Sequence, residues 1–277
     1  MNVNGYEIKP QAKLAGANLA GANLNYLDLS GANLTHANLT GANLIGTKLA
    51  GADLTGANLE DANLEDAILF GEVKKRLSSH QYSISANLTR ANLTRANLNG
   101  ANLAHAKLED ANLEGADLTG KNLEGANLLG ANLTRSNLTG ANLTGACLFS
   151  ANLTGANLEG ADLTRLEGAN LCEADLTDAN LTGANLQGAY LYNADLTDAN
   201  LTDANLEGAF LFNANLQGAN LTGAKLQGAY LKVTDLAGAN PEDANLQGAD
   251  LSYEDLTDAN LTGATLPDGS THKYGPA

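Results

Sequence analysis

Residues 173–192 read EADLTDANLTGANLQGAYLY, and residues 193–212 read NADLTDANLTDANLEGAFLF. Two periods are superposed in this stretch. The short one is five residues: a small residue (usually Ala), then Asn or Asp, then Leu, then two polar or Gly residues. The long one is twenty, so Tyr190-Leu191-Tyr192 returns as Phe210-Leu211-Phe212. A period of five suits neither the 3.6 of a helix nor the alternation of a long strand. It suits a short extended segment followed by a turn. Residues two apart on a pleat face the same way, so Ala and Leu share one side. Gly at the second position after Leu fits a corner that requires positive φ.

Taking Leu as position i, the register extends outward in three runs. Leu14–Leu69 holds 12 units, Leu88–Leu163 holds 16 and Leu171–Leu266 holds 20, or 48 altogether. Leu occupies the centre of every unit except that of Pro241, and Ala occupies i−2 in 42 of them. The exceptions at i−2 are Leu27, Thr47, Lys121, Ser136, Thr234 and Glu254. The chain has 277 residues with no Trp, one Met and four Phe. An ordinary core of this size mixes large and small apolar side chains. A core of Leu and Ala needs a geometry that repeats the same packing. Four Leu per twenty residues cannot offset the ordering of one turn of chain, so stability is a property of stacked neighbours.

Tandem A-(N/D)-L-X-X over about residues 12–266 resembles the pentapeptide-repeat family, most closely its Leu-centred members from photosynthetic bacteria. The resemblance implies an all-β fold, a right-handed quadrilateral β-helix with four pentapeptides per coil. The runs then make 3, 4 and 5 coils, about 12 in total. Stacked at roughly 4.8 Å they form a rod about 58 Å long. Ala and Leu would point inward, and positions i−1, i+1 and i+2 outward.

The expected organisation follows the runs. Residues 1–11 form an N-terminal cap, in which Val3, Tyr6 and Ile8 cover the first coil. Residues 12–71 form coils 1–3, 72–85 an inserted loop or short helix, and 86–165 coils 4–7. Residues 166–168 are a small bulge, 169–268 form coils 8–12, and 269–277 are a C-terminal tail. Within the insertion, Glu72–Ser79 is the helical candidate, with Lys74, Lys75 and Arg76 as a possible contact. Placing the bulge at a corner brings Leu129, Phe149, Cys172, Tyr192 and Phe212 into one i+1 column. Caps matter because an open β-helix exposes unpaired strand edges.

The chain carries a net charge of −16, which disfavours direct binding to nucleic-acid phosphate. From residue 166 onward there are 16 Asp and Glu against 3 Lys. Asp175, Asp178, Asp195, Asp198, Asp235, Asp255 and Asp258 make a candidate acidic face. It reads either as a solvated surface or, as some relatives imply, as a DNA mimic of the kind that binds a type II topoisomerase (DNA gyrase). Arg90, Arg95, Arg135 and Arg165 interrupt the acid in the middle of the rod. Leu129, Phe149, Tyr190, Tyr192, Phe210, Phe212 and Tyr230 make a candidate protein-contact face. Stacked aromatics on adjacent coils either stabilise the sheet or mark an interface.

No catalytic or metal-binding pattern emerges, and no cofactor is implied. His36 and His105 fall at i+2 in distant coils, His80 in the insertion and His272 in the tail; their spacing suggests neither a metal site nor a triad. Cys147 and Cys172 fall diagonally on neighbouring coils, beyond ordinary disulfide reach, and read as free thiols. The N-terminus has no apolar secretory region and no stretch has the length of a membrane span. The expectation is a cytoplasmic, non-enzymatic rod, monomer or homodimer, binding an unknown protein partner and no membrane. Lys121 and Pro241 are expected irregularities of the interior, the first tolerable if its ammonium snorkels, the second lacking an N–H.

Overall fold

The computed structural model describes residues 1–73, 82–164, 169–252 and 256–273. Its ladder is built from one repeated set of bonds. The N–H of Leu14 donates to Asn33 O at 2.7 Å, and Asn33 N–H donates back to Ala12 O at 2.9 Å. Gly16 N–H reaches Thr35 O at 2.8 Å in the next coil, while Ala17 N–H closes a turn on Leu14 O at 3.0 Å. Positive φ at the third residue of that turn (65° at Gly16) is the arrangement of a type II turn. Parallel bridges therefore join residues twenty apart, as in Lys13–Asn33–Asp53 and Asn170–Tyr190–Phe210–Tyr230. Twenty residues are four pentapeptides, so each coil has four faces, and the stack is the right-handed quadrilateral β-helix of twelve coils.

We number the faces by their i−1 columns. Face 1 runs from Lys13 through Asn87, Cys147 and Tyr190 to Asp250; face 2 from Asn18 through Asp175 and Asp195 to Asp235. Face 3 includes Asn157, Asn180 and Asn200, and face 4 Asp162, Asn185 and Asn205. The phase survives both interruptions: Asp53 bridges Asn87, and Cys147 bridges Asn170. Both interruptions fall between a face-4 unit and a face-1 unit, after Leu69 and after Leu163. Residues 165–168, which include Arg165 and the bulge at 166–168, lie outside the described residues.

The interior is a single cluster of Leu and Ala, most of them fully excluded from solvent. Its polar intruders show how strict it is. Thr47 and Thr234 are buried and donate Oγ1 to Leu24 O and Leu211 O, at 2.9 and 3.0 Å. Ser136 is equally buried, yet its Oγ has no partner. Lys121 is only half-buried, as snorkelling requires. Pro241 is buried, and its smaller ring leaves a small apolar void lined by Leu221, Leu236, Leu246 and Leu261 among others. Glu254 lies outside the described residues.

Outside, Asn at i−1 forms a polar zipper. On face 3, Thr202 N–H and Oγ1 both donate to Asn200 Oδ1, at 3.1 and 2.7 Å. Asn220 Nδ2 then donates to Thr202 Oγ1 at 3.0 Å, linking one coil to the next. The Asn side chain thus pins its own corner and ties it to its neighbour.

The rod begins with an antiparallel hairpin, β1 (Asn2–Val3) and β2 (Tyr6–Glu7). Ile8 is buried in the core, Val3 and Tyr6 pack against it, and the Tyr6 hydroxyl accepts the Asn18 N–H at 3.3 Å. That bond occupies an N–H that in later coils donates to a preceding coil. At the other end Thr265 and Thr271 form an antiparallel bridge. The insertion differs from a helix where it is described: β3 (Phe70–Val73) pairs antiparallel with β4 (Tyr82–Ser85). Glu72 and Val73, placed by sequence at a loop or helix start, are strand residues, in keeping with the β preference of Val, Tyr and Ile in this segment. Lys74, Lys75, Arg76 and His80 lie outside the described residues.

Candidate functional site

Face 1 of coils 8–11 departs from the polar rule of the other faces. At i−1 the ladder aligns Tyr190, Phe210 and Tyr230, because each N–H donates to the Ala O of the preceding coil. At i+1 the corner bonds align Leu129, Phe149, Cys172, Tyr192 and Phe212: Gly130 N–H meets Phe149 O, Ser150 N–H meets Cys172 O, and Glu173 N–H meets Tyr192 O. The two columns flank an inward-pointing Leu and converge. Ring centroids of Phe210 and Tyr230 are 4.7 Å apart with planes 1° from parallel. Tyr190 lies 5.1 Å from Phe210 and 5.9 Å from Tyr192, and Tyr192 lies 6.0 Å from Phe210 and 6.4 Å from Phe212. Five rings form one cluster, within which Tyr230 is 50% and Phe212 42% exposed.

Leu129 and Phe149 share the column but not the cluster. Cys172 stands between Phe149 and Tyr192, which are therefore two coils, about 9.6 Å, apart. Burial pushes the Cys172 thiol above its ordinary range, so it is held neutral beside the rings. Cys147 and Cys172 are both free and half-buried.

A shallow groove follows the rings, lined by Tyr192, Phe210, Phe212, Tyr230, Lys232 and Asp250. Its two borders differ. Toward face 2 the corner carries Glu173, Asn193, Asn213 and Val233, and Asn213 Nδ2 donates to Asn193 Oδ1 at 2.9 Å, forming a low wall. Toward face 4 the corner is Gly188, Gly208, Gly228 and Gly248, a bare shelf. Sequence reasoning passed over the glycine shelf, and over Lys232 and Asp250 as groove residues. Applying the twenty-residue period to the corner positions exposes the shelf.

The acidic residues divide into two sets. Asp175, Asp195 and Asp235 are half-buried on face 2 and serve their own turns. Their Oδ1 atoms accept N–H bonds from Thr177, Thr197 and Ala237 at 3.0, 3.0 and 2.9 Å. Burial alone would raise the Asp175 carboxyl, but bonds from the Thr177 backbone and side chain and from Thr154 hold it below its usual value. Asp178, Asp198 and Asp258 project from the next corner, at φ of 58°, 56° and 60°, and are exposed. Asp255 lies outside the described residues.

His36 and His105 sit at different corners of distant coils, each over a glycine of the following coil (Gly56 and Gly125). Among the described residues no group of His, Cys, Asp and Glu has the geometry to hold a metal ion. No helix among them is long and apolar enough to cross a membrane.

A four-sided parallel β-solenoid with a uniform core, differentiated only by its outward columns, is the class of protein that this architecture defines. The chain belongs to the pentapeptide-repeat family: the profile of pentapeptide repeats matches in eight stretches between residues 12 and 268. It is similar to HetL, a pentapeptide repeat protein involved in heterocyst differentiation regulation in Nostoc sp. strain PCC 7120, with 36% identity over 92% of each chain and a TM-score of 0.38. It is similar to Rfr23 of Cyanothece 51142, with 33% identity over 48% of this chain and 89% of that one, TM-score 0.25. The plasmid-mediated fluoroquinolone resistance protein QnrB1 is 18% identical over 87% of this chain and 92% of its own, TM-score 0.31. No curated protein gives a significant sequence match.

Proposed function

We propose that this protein is a non-enzymatic binding rod that engages a protein partner through face 1 of coils 8–11. The observation that carries this is the five-ring cluster, flanked by a corner of Glu173, Asn193, Asn213 and Val233 on one side and by a glycine corner on the other. Rings that only braced adjacent strands would not need exposure of the kind seen at Tyr230 and Phe212. Affinity recovery from a native lysate tests the reading, with the Phe210→Ser/Phe212→Ser variant as control. Recovery that depends on the two rings supports it. An unchanged set of recovered proteins together with an unchanged assembly state removes it.

A second reading, an acidic DNA mimic acting on a type II topoisomerase, draws on the exposed corner column of Asp178, Asp198 and Asp258. It is the weaker one, because the three face-2 carboxylates are bound to their own turns. A DNA gyrase supercoiling assay separates the two: inhibition at micromolar protein favours mimicry, and its absence leaves the aromatic face.

A further inference from the structure

Resting on that reading, we propose that the aromatic strip takes a short proline-rich segment of a partner in the polyproline II conformation, with a basic residue beside its prolines. The area argues for a segment and against a second copy of the rod. Four coils at about 4.8 Å, by a face about 10 Å wide, offer roughly 200 Å². A stable rigid interface needs roughly 800 Å² per partner. Two rods, each at −16, would also bring their acidic C-terminal coils together.

The geometry selects the conformation. The backbone groups of face 1 are consumed by the ladder, as in Leu191 N–H to Phe210 O at 2.8 Å and Phe210 N–H to Ala189 O at 2.9 Å. An added β-strand therefore finds no open edge there. An α-helix repeats every 5.4 Å, and against a coil rise of about 4.8 Å it drifts by roughly 2 Å over four coils. Polyproline II repeats every three residues, about 9.3 Å, against about 9.6 Å for two coils. Tyr190 and Tyr230 are two coils apart, so residues three apart in such a helix meet rings two coils apart.

Chemistry agrees with register. Polyproline II has no internal hydrogen bonds, so its carbonyls need donors, and the strip carries the hydroxyls of Tyr192 and Tyr230. Proline rings pack on aromatic ones, and ordering this helix costs less than ordering a flexible chain. Three carboxylates stand about the strip against one cation, Lys232: Glu173 on the wall, Glu207 across Gly208, and Asp250 in the groove. An arginine there gains both charge attraction and a cation–π contact.

The test is titration of the full chain with a synthetic peptide of about eight residues bearing Arg followed by two Pro-x-x-Pro turns. The comparison peptide keeps the charges and replaces the prolines with Gly and Ser. Saturable binding of the proline peptide is expected, at least ten-fold tighter than the comparison. Phe210→Ala and Tyr230→Ala should each weaken it ten-fold or more, with melting curves checking that the rod still folds, and Gln217→Ala on face 2 should not. Equal affinity for both peptides, or binding indifferent to the rings, overturns the inference. So does a ring-dependent dimer in sedimentation, which puts a second copy on the strip. If lysate recovery depends on the rings while the proline peptide does not bind, this inference fails and the protein-contact reading stands. If neither depends on them, both fail.

Discussion

On face 3 of the eleventh coil, Pro241 stands where every other unit has Leu, and replacing it should strengthen the whole C-terminal end. One coil earlier, Leu221 N–H donates to Asn240 O at 2.8 Å. The corresponding bond from position 241 to Asn260 O is removed by the proline ring. The side chains keep the contact, with Asn260 Nδ2 on Asn240 Oδ1 at 2.8 Å, and Ala244 N–H still closes the turn on Pro241 O at 3.1 Å. Pro241→Leu therefore enters a site already shaped for Leu. It restores one ladder bond, worth about 1 kcal/mol, and puts apolar volume into the void, worth about 0.8 kcal/mol per buried CH₂. Loss of the proline's restraint on the unfolded chain takes back about 0.4–1 kcal/mol. The net expectation is stabilisation by about 1 kcal/mol, roughly a five-fold change in an opening equilibrium. Because each coil leans only on its neighbours, the gain should concentrate at the C-terminus. Native-state hydrogen exchange is the direct assay. Asn260 N–H, bonded to Ala239 O at 3.0 Å, and Thr265 N–H, bonded to Ala244 O at 2.9 Å, should gain roughly five-fold protection. Amides of coils 2–3 should not change. Unchanged protection at Asn260 and Thr265, or a lower melting midpoint, would refute the account of Pro241 as a missing bond and an unfilled site.

Val233 has φ of 60°, a strained value for a β-branched residue, so Val233→Asn should raise stability by about 1 kcal/mol in thermal melts. Ser136→Ala removes a buried hydroxyl without a partner and should stabilise by about 1 kcal/mol, whereas Thr47→Val loses the bond to Leu24 O and should destabilise by a similar amount. Gly46→Ala and Gly21→Ala share the cost of a left-handed alanine, but only at Gly46 does the new Cβ come within 2.5 Å of Tyr26, so Gly46→Ala should be the worse and Tyr26→Ser should close the gap. Hydroxyl and backbone bonds from Thr119 hold the Asp117 carboxyl below 3.8, and bonds from Ser30 do the same for Asp28. A lowered folded-state value stabilises above pH 3.8 and is lost as the pH falls through the folded value, so Asp28→Asn/Asp117→Asn should flatten the acid limb of the stability curve below about pH 4.

The core was legible in the sequence because it has one solution. Leu at i and Ala at i−2 recur too regularly to pack any other way, and the twenty-residue period exposed the number of sides. The surface was legible only by position. The sequence reading put Tyr190, Phe210 and Tyr230 in one column and Tyr192 and Phe212 in another, but whether rings on two columns meet depends on how they tilt over the intervening Leu. Asp175, Asp195 and Asp235 carry a second role besides their charge. Asp at i−1 looks like surface charge, yet it does the work of the Asn found there in most units, accepting the N–H two residues on. The corners held a third surprise. Glycine at i+2 suggested a left-handed position, but Arg90, Arg135, Asp178 and Val233 occupy the same conformation. The coil-to-coil ladder holds that geometry whatever the side chain, and the cost shows only in stability. The hairpin of β3 and β4 was read as a loop or helix because, outside the repeat, no neighbouring unit constrained the choice.

A uniform interior has a consequence for how such a rod acquires specificity. Interior positions have almost no freedom: Thr47 and Thr234 are tolerated because each finds a Leu carbonyl, and Lys121 because its charge escapes. Outward positions are free singly but act in columns, since residues twenty apart become neighbours at one coil's rise. A change at one outward site therefore alters a surface only when the sites twenty residues before and after change with it. Tyr190, Phe210 and Tyr230 are three successive positions of one column, and Tyr192 and Phe212 two of the column beside it. Gly188, Gly208, Gly228 and Gly248 are four of a third. Stabilising one strand pair would account for one ring contact, as at Phe210 and Tyr230. It would not account for two adjoining aromatic columns that begin on the same coil at Tyr190 and Tyr192, with a bare glycine corner along one side. That joint pattern is the strongest support for the proposal that the rod binds a partner through face 1 of its C-terminal coils.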